Sequence, residues 1–443
     1  LDVIEFNIED TTTGETKLSP QRSIDIAINE YAPGRTIVVD KKTYKSAGIY
    51  TPIRRKDITN FYKPAEPYFN EENGYFSEIY MCSNPLCGWF GKEAPENDLC
   101  PFCGQPIGEE NKKNMLKPWG FAPLNARDIP ETEADSELSY SDEPCYSATP
   151  SSDLKETKYS NLKICNRKNE EIIILNKGID GQGFDVCRHC GAAQLRGDKS
   201  LRENNVGAPF TNKGQRVLCS HKFVEEGLYL GTNFRTDMFF MQIAIDTSTI
   251  TDDSVILKSA AVTLCEALKL SASRILDIEY NDLTIGNRTR SDDHSKFVDF
   301  FFYDTLSSGA GYSTQIEPNL DEILADTLEI LSNNDTQDIC NFWNQRNQKY
   351  FNKKLARDLL IWITKSQLPN DFNEEETKII SVPLTNILKN EFGEECAIHG
   401  NIISIKGKNY YVVPAFKKCV FDSITDFEIT QALPVLLGRI LEQ

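Results

Sequence analysis

The pattern of apolar and polar positions changes period several times along the chain, and each change predicts an element. Ser23–Tyr31 reads as a short helix, closed by the turn signal Ala32-Pro33-Gly34, after a polar lead-in over residues 1–20. Arg35–Tyr50 then alternates as a hairpin, with Thr36-Ile37-Val38-Val39-Asp40 and Thr43-Tyr44-Lys45-Ser46 joined by a polar turn at Lys41-Lys42. Strand-like runs resume at Lys163–Cys165 and Glu171–Leu175. Tyr229–Ile245 ends in a strongly apolar strand, and Lys296–Tyr303 is apolar enough for a buried one. Between them Val255–Ala272 switches to helical spacing, with Ile256, Ala260, Leu264, Ala267 and Leu268 on one stripe. Helices are also expected over Leu320–Leu331 and Asn341–Ile363. From Lys378 on, two helices are expected beside a hairpin around Lys406-Gly407-Lys408. No internal repeat stands out.

At 443 residues the chain exceeds one ordinary core. The expected class is multidomain α+β, with β-rich zinc-ribbon lobes and an α/β core domain. The expected order is an N-terminal helix and hairpin (1–65), a four-cysteine zinc ribbon (66–130), an acidic linker (131–158), a second zinc lobe with strands (159–245), the α/β core (246–366) and a small C-terminal α/β unit (367–443). The apolar share of 40% is that of a globular protein, and no apolar stretch is long enough to cross a bilayer. Because the chain starts at Leu1 rather than Met, it is expected to be a piece of something larger.

The cysteines change the picture most. Of the thirteen, seven sit at zinc spacings. Cys82-x4-Cys87 precedes Cys100-Pro-Phe-Cys103-Gly, and Cys187-Arg-His-Cys190-Gly precedes Cys219-Ser-His221. A Cys-x2-Cys knuckle brings two thiolates to one side of a turn, and a distant pair completes a tetrahedral shell. Two structural zinc ions are therefore expected, one on Cys82, Cys87, Cys100 and Cys103, the other on Cys187, Cys190, Cys219 and His221. Buried thiols beside surface histidines are the alternative for the second set. This thiol usage fits a reducing cytoplasm.

A net charge of −18 argues against a protein that simply coats nucleic acid, but the charge is uneven. Seven acids and no Lys or Arg lie between Glu131 and Asp153. Seven bases face two acids between Cys187 and Lys222, and five bases face none between Cys340 and Arg357. These islands, with Arg188, Arg216, Arg346 and Lys349 as candidate phosphate contacts, suit defined contacts with DNA; they read equally as solvated faces. The turn Asp304–Ser313, with Gly309 and Gly311, could offer N–H groups to a phosphate or simply pack a helix on a strand. It lacks the Walker spacing and lysine. His294 and His399 stand apart from any nucleophile, Cys396 and His399 form a remote candidate metal pair, and no ATPase, nuclease or hydrolase motif is present.

Several stretches occur together in a known order: Asn29–Gly34 leading into Thr36–Asp40, the second cluster, Tyr229–Ile245, Tyr303–Ser313 and the helix from Asn344 to Ile363. Together they resemble the MrfA-like zinc-binding C-terminal module of bacterial superfamily-two DNA helicases, also found in the DrmB subunit of the DISARM anti-phage system. The resemblance spans roughly residues 20–365. It implies a partner motor, either a helicase or translocase subunit or helicase domains preceding this chain, and a role in anti-phage defence or DNA repair. Relatives carry four cysteines before the closing helix; here only Cys340 remains, so no zinc is expected there. The expected function is a non-catalytic, DNA-associated module. The alternatives are a scaffold docking a basic partner without touching DNA, a C-terminal fragment of a helicase, and a nucleotide-binding enzyme using the Asp304–Ser313 turn.

Overall fold

Asp40 and Lys41 both adopt positive φ, 48° and 59°, the conformation of a two-residue type I′ turn. They join Thr36–Val39 to Lys42–Ile49 in antiparallel register, Val39 facing Lys42. The expected hairpin thus forms, with its turn one residue earlier. The computed structural model describes residues 2–10, 12–13, 15–50, 65–84, 87, 89–130, 139, 145–146, 154–212, 214–251, 254–291, 295–305, 310–333 and 351–368. Beyond these it describes 396–399, 402–405, 408–414, 416, 429–436 and 439–440. The protein is mixed α+β and sheet-rich. It divides into two compact units, the first comprising Leu1–Thr149, Asn169–Thr236 and Thr305–Ser308, the second the remainder.

In the first unit, residues 1–20 are not a loose lead-in. Val3–Glu5 pairs with Gln21–Ser23, and Ile8–Glu9 with Thr16–Leu18. Ile4, Phe6 and Ile8 alternate at period two and are buried, the strand signal that the polar neighbours obscured. Helix α1 (Ile24–Glu30) follows, burying Ile24, Ala27 and Ile28. Phe76–Met81 runs antiparallel to Lys112–Leu116, whose end pairs in parallel with Tyr229 and Leu230. Ile79, Phe90, Met115, Ile173, Leu175 and Tyr229 fill the space between them.

The stretch Gly191–Leu218, which carries no clear period in sequence, alternates exposed turns with residues of the core. Leu201, Val206, Ala208 and Phe210 are buried with Ala47, Tyr50, Ala122, Cys187, Cys190 and Ala192, and Phe210 stacks on Tyr50 at 5.5 Å. Burying such side chains is worth about 1.5–3 kcal/mol each for the larger ones, enough to order an otherwise irregular segment. Glu9 accepts from both the N–H and the hydroxyl of Thr211 at 2.8 Å, which pins the segment's far part.

Leu162–Asn176 and Val224–Ile245 are long strands whose residues divide between the units. In the second unit Met238–Ile245 pairs antiparallel with Lys296–Asp304, and that strand with Leu283–Ser291. One face, with Phe239, Met241, Ile243, Val298, Phe300 and Phe302, packs against α2 (Ser254–Leu276), α3 (Ile316–Ser332) and α4 (Lys353–Lys365). The single stripe expected on α2 is too narrow a description. Leu257, Ala261, Cys265 and Ala272 are buried as well, because helices and a strand pack around it. Asn352 caps α4, its Oδ1 accepting from the Leu355 N–H at 3.1 Å. Residues 341–350 of the expected helix lie outside the described residues. Toward the C-terminus a five-stranded sheet forms; Ile405 faces Lys408 across the expected hairpin. The two helices expected after Lys378 lie outside the described residues.

Candidate metal centres

Two Cys-x2-Cys-Gly segments fold into the same hydrogen-bonded turn. In the first, the Gly104 N–H bonds the Cys100 carbonyl at 2.9 Å and the Cys100 N–H bonds the Gln105 carbonyl at 2.8 Å. In the second, Gly191 bonds Cys187 at 2.9 Å and Cys187 bonds Ala192 at 2.8 Å. Glycine is required after the second cysteine because the backbone there is left-handed, φ 70° at Gly104 and 81° at Gly191.

The first knuckle meets the hairpin formed by Phe76–Met81 and Phe90–Gly91, which carries Cys82 and Cys87. The Cys82 N–H bonds the Trp89 carbonyl at 2.8 Å, closing the loop between them. Sγ of Cys82 lies 3.4 Å from that of Cys103, and Sγ of Cys87 lies 3.5 Å from that of Cys100. Four thiolates at about 2.3 Å from one zinc ion stand about 3.8 Å apart, so the cage is of the right size and slightly contracted. The Asn84 N–H points at Cys82 Sγ at 3.4 Å.

The second knuckle lies between strands Phe184–Cys187 and Ala193–Leu195, while Cys219 and His221 follow the small hairpin of Thr211–Asn212 and Gln215–Arg216. Cys187 Sγ and Cys219 Sγ are 3.8 Å apart, and Cys190 Sγ is 3.8 Å from His221 Nδ1. His221 Nε2 lies 2.9 Å from the Val206 carbonyl. A carbonyl only accepts, so Nε2 carries a proton, and Nδ1, which faces the sulfurs, is the nitrogen left for a metal. His189, the competing imidazole in the knuckle, is turned instead toward Phe223. In each set the four ligand atoms lie within 4.8 Å of one another.

The titration of these groups follows from crowding thiols together. Burial pushes the Cys82 thiol up to about 12. The hydrogen bond from Cys87 lowers Cys100 to about 5, while the same contact, with burial, raises Cys87. In the second set Cys190 is raised by hydrogen bonds with Cys187 and Cys219, Cys219 is lowered by hydrogen bonds from Cys187 and Cys190, and His221 is raised to about 10 by Cys187 and Cys219. Crowding and burial thus oppose full deprotonation of either set, and a dication would supply the counter-charge that four ligands need. Four protein ligands around such an ion leave no position for water, so the arrangement suits a staple rather than a hydrolytic centre.

The candidate phosphate contacts fare differently. Arg188 is half-buried; it donates to the Phe69 carbonyl at 3.3 Å, pairs with Glu225 at 3.5 Å and lies over the Phe69 and Phe76 rings. Arg216 is exposed, with Nη2 held at 3.0 Å by Asn205. Arg346 and Lys349 lie outside the described residues. At the turn after Asp304, the Gly311 and Ser313 N–H groups are taken by the Asp304 carboxylate at 2.6 and 2.7 Å. A phosphate at those two groups would have to displace a buried carboxylate, so the packing reading holds for the described part of that turn. Sequence reasoning missed the Val206 carbonyl, which orients His221, because a backbone acceptor leaves no mark in residue type.

The fold is a sheet-rich α+β module with two ligand sets of the kind that hold zinc. Residues 264–341 match the family model described as the MrfA Zn-binding domain, as the resemblance led one to expect. The chain is also 29% identical over 391 residues to the Druantia protein DruE of Escherichia coli (strain UMEA 4076-1), covering 82% of this chain and 20% of DruE. Two solved structures of the DUF1998 helicase MrfA are similar at 7% identity. The complex with DNA has a TM-score of 0.35 over 76% of this chain and 30% of MrfA. The complex with DNA and AMPPNP has a TM-score of 0.27 over 74% and 29%. The chain thus spans about a fifth of the length of its curated relative. The matched segment itself holds only Cys265 and Cys340 of the cysteines. Both cages precede it. No helix among the described residues is long and apolar enough to cross a membrane.

Proposed function

We propose that this chain is a non-catalytic, zinc-stapled module that associates with DNA beside an ATP-driven helicase or translocase, in anti-phage defence or DNA repair. Cys82, Cys87, Cys100 and Cys103 hold one zinc ion, and Cys187, Cys190, Cys219 and His221 the other. The observation that carries the reading is the pair of four-ligand cages, both earlier in the chain than the MrfA-type segment. The motor lies in a partner subunit or in a longer protein of which this chain is a part, as its 20% coverage of DruE suggests. Arg188 braces the fold, so contact with phosphate falls to exposed Arg216, Arg202 and Lys222, together with Arg346 and Lys349.

Fluorescence anisotropy of the zinc-loaded chain with single- and double-stranded DNA at two salt concentrations tests this. Micromolar or tighter binding that weakens steeply with salt, and weakens further in Arg202→Ala/Arg216→Ala/Lys222→Ala, is the expected result. Absence of binding at low salt would overturn it.

A second reading, a scaffold docking a basic partner without touching DNA, is favoured by the net charge of −18 and by the internal pairing of Arg188 with Glu225 and of Arg196 with Asp185 and Glu226. It predicts a partner that copurifies equally well with the alanine variant.

A further inference from the structure

The second cage carries an exposed apolar surface that metal binding alone does not explain. Leu218 is 83% exposed and Phe223 55% exposed, one on each flank of the ligand segment Cys219-Ser220-His221 in the chain. Single exposed apolar residues are ordinary; two within six positions, on a segment anchored by a candidate metal cage, are not. Phe223 is also fixed in place. Its carbonyl accepts the Arg188 N–H at 2.9 Å, and its ring lies 4.6 Å from that of His189, tilted by 46°. His189 in turn sits between two ligands of the same cage. An aromatic pair held this way loses little conformational freedom when something stacks on it.

The charge around it has the opposite sign to the molecule. Residues 213–223 contain Lys213, Arg216 and Lys222 and no acid, in a chain of net charge −18. The acids that follow are engaged, Glu225 with Arg188 and Glu226 with Arg196. The bond from His221 to the Val206 carbonyl and that from Arg216 to Asn205 tie this segment to residues 202–206, where Arg202 is exposed. Glu203 is the one acid of that stretch, its carboxylate held by the Ser200 N–H and hydroxyl. An exposed, fixed ring on a segment rich in cations is the arrangement on which bases of a single strand stack while the backbone is neutralised.

We propose that Phe223, backed by His189 and flanked by Leu218, is a base-stacking platform for single-stranded DNA, with Lys222, Arg216 and Arg202 neutralising the phosphates on either side. This role rests on the DNA-associated reading above and specifies where the strand is touched.

The test uses the zinc-loaded chain and a single-stranded oligonucleotide carrying 2-aminopurine, whose fluorescence reports stacking, with zinc content measured on every variant. Phe223→Ala should bind about tenfold more weakly, the usual scale for losing one base–aromatic stack, and should lose the fluorescence change while keeping its zinc. Phe223→Tyr keeps a ring and should retain both, and it carries the test if the alanine variant loses metal. Wild-type binding unchanged in Phe223→Ala would overturn the platform and leave DNA association standing. Wild-type chain that binds no oligonucleotide at low salt would overturn both. Binding of polyglutamate without binding of oligonucleotide would also overturn both and assign the patch to an acidic protein.

Discussion

The two knuckle glycines occupy equivalent positions in the same hydrogen-bonded turn, yet replacing them with alanine should have unequal consequences. Gly104 has φ 70° and nothing within 4 Å of where a Cβ would stand. Gly104→Ala therefore pays only for left-handed backbone, about 1–2 kcal/mol. Gly191 has φ 81°, and its Cβ would sit 2.3 Å from the Ile49 carbonyl oxygen. Relief requires moving backbone, at the cost of the Ile49 N–H bond to the Gly191 carbonyl, 2.8 Å long and worth about 1 kcal/mol. It also disturbs the packing of Tyr50 and Ala192 in the adjoining core, a further cost of about 1–2 kcal/mol. The total for Gly191→Ala is about 3–5 kcal/mol, with the backbone term included. Because metal binding and local folding share one free energy, these costs appear as lost zinc affinity. Titration with a chromophoric chelator should show one zinc ion held about tenfold more weakly in Gly104→Ala, and one held at least about a hundredfold more weakly in Gly191→Ala. Equal losses in the two variants would refute the argument from the Ile49 carbonyl.

Other outcomes follow from the second unit. Asp299 is fully buried beside Arg290 at 3.0 Å, and burial pushes its carboxyl up to about 6 against the pull of Arg290 and Arg288. A carboxyl raised in the fold stabilises it in full below its ordinary value near 4, and that contribution is lost as pH rises through about 6. Asp299→Asn should therefore flatten the pH dependence of this unit's urea unfolding between about pH 4 and 6; an unchanged slope would contradict the burial argument. Asp304→Ala orphans the Gly311 and Ser313 N–H groups and should cost about 3–5 kcal/mol in the same unfolding experiment. Calorimetry of the wild type with ATP should show no binding at this turn; measurable heat lost in Asp304→Ala would reverse that expectation.

Much of the arrangement was legible in residue order, and the failures share a cause. The hairpin at Thr36–Ile49, the strand at Lys296–Asp304 and the helices around Ile256–Leu268 and Leu320–Leu331 announce themselves because one period dominates each segment. The eight residues of the two cages were legible for a different reason, since knuckle spacing is itself a geometric constraint. What escaped reading depends on partners remote in the chain. Leu201, Val206, Ala208 and Phe210 are spaced like a loop, and only Ala47, Tyr50 and Ala122, brought from other strands, turn them into core. Arg188 belongs to a basic island in sequence but meets Glu225 and two phenylalanine rings in space. The Asp304 turn offered N–H groups on paper, and the preceding aspartate had already taken two of them.

Cobalt substitution shows whether two closed metal cages hold this module together. Chain refolded with cobalt should bind two ions and show the intense visible absorption of tetrahedral thiolate sites. Cys100→Ser and Cys190→Ser should each weaken one ion's binding, leave the other intact, and change the spectrum in different ways, because one cage is four-sulfur and the other three-sulfur with one nitrogen. A single ion per wild-type chain, or a spectrum shifted by added azide as an open coordination position would allow, would contradict the account.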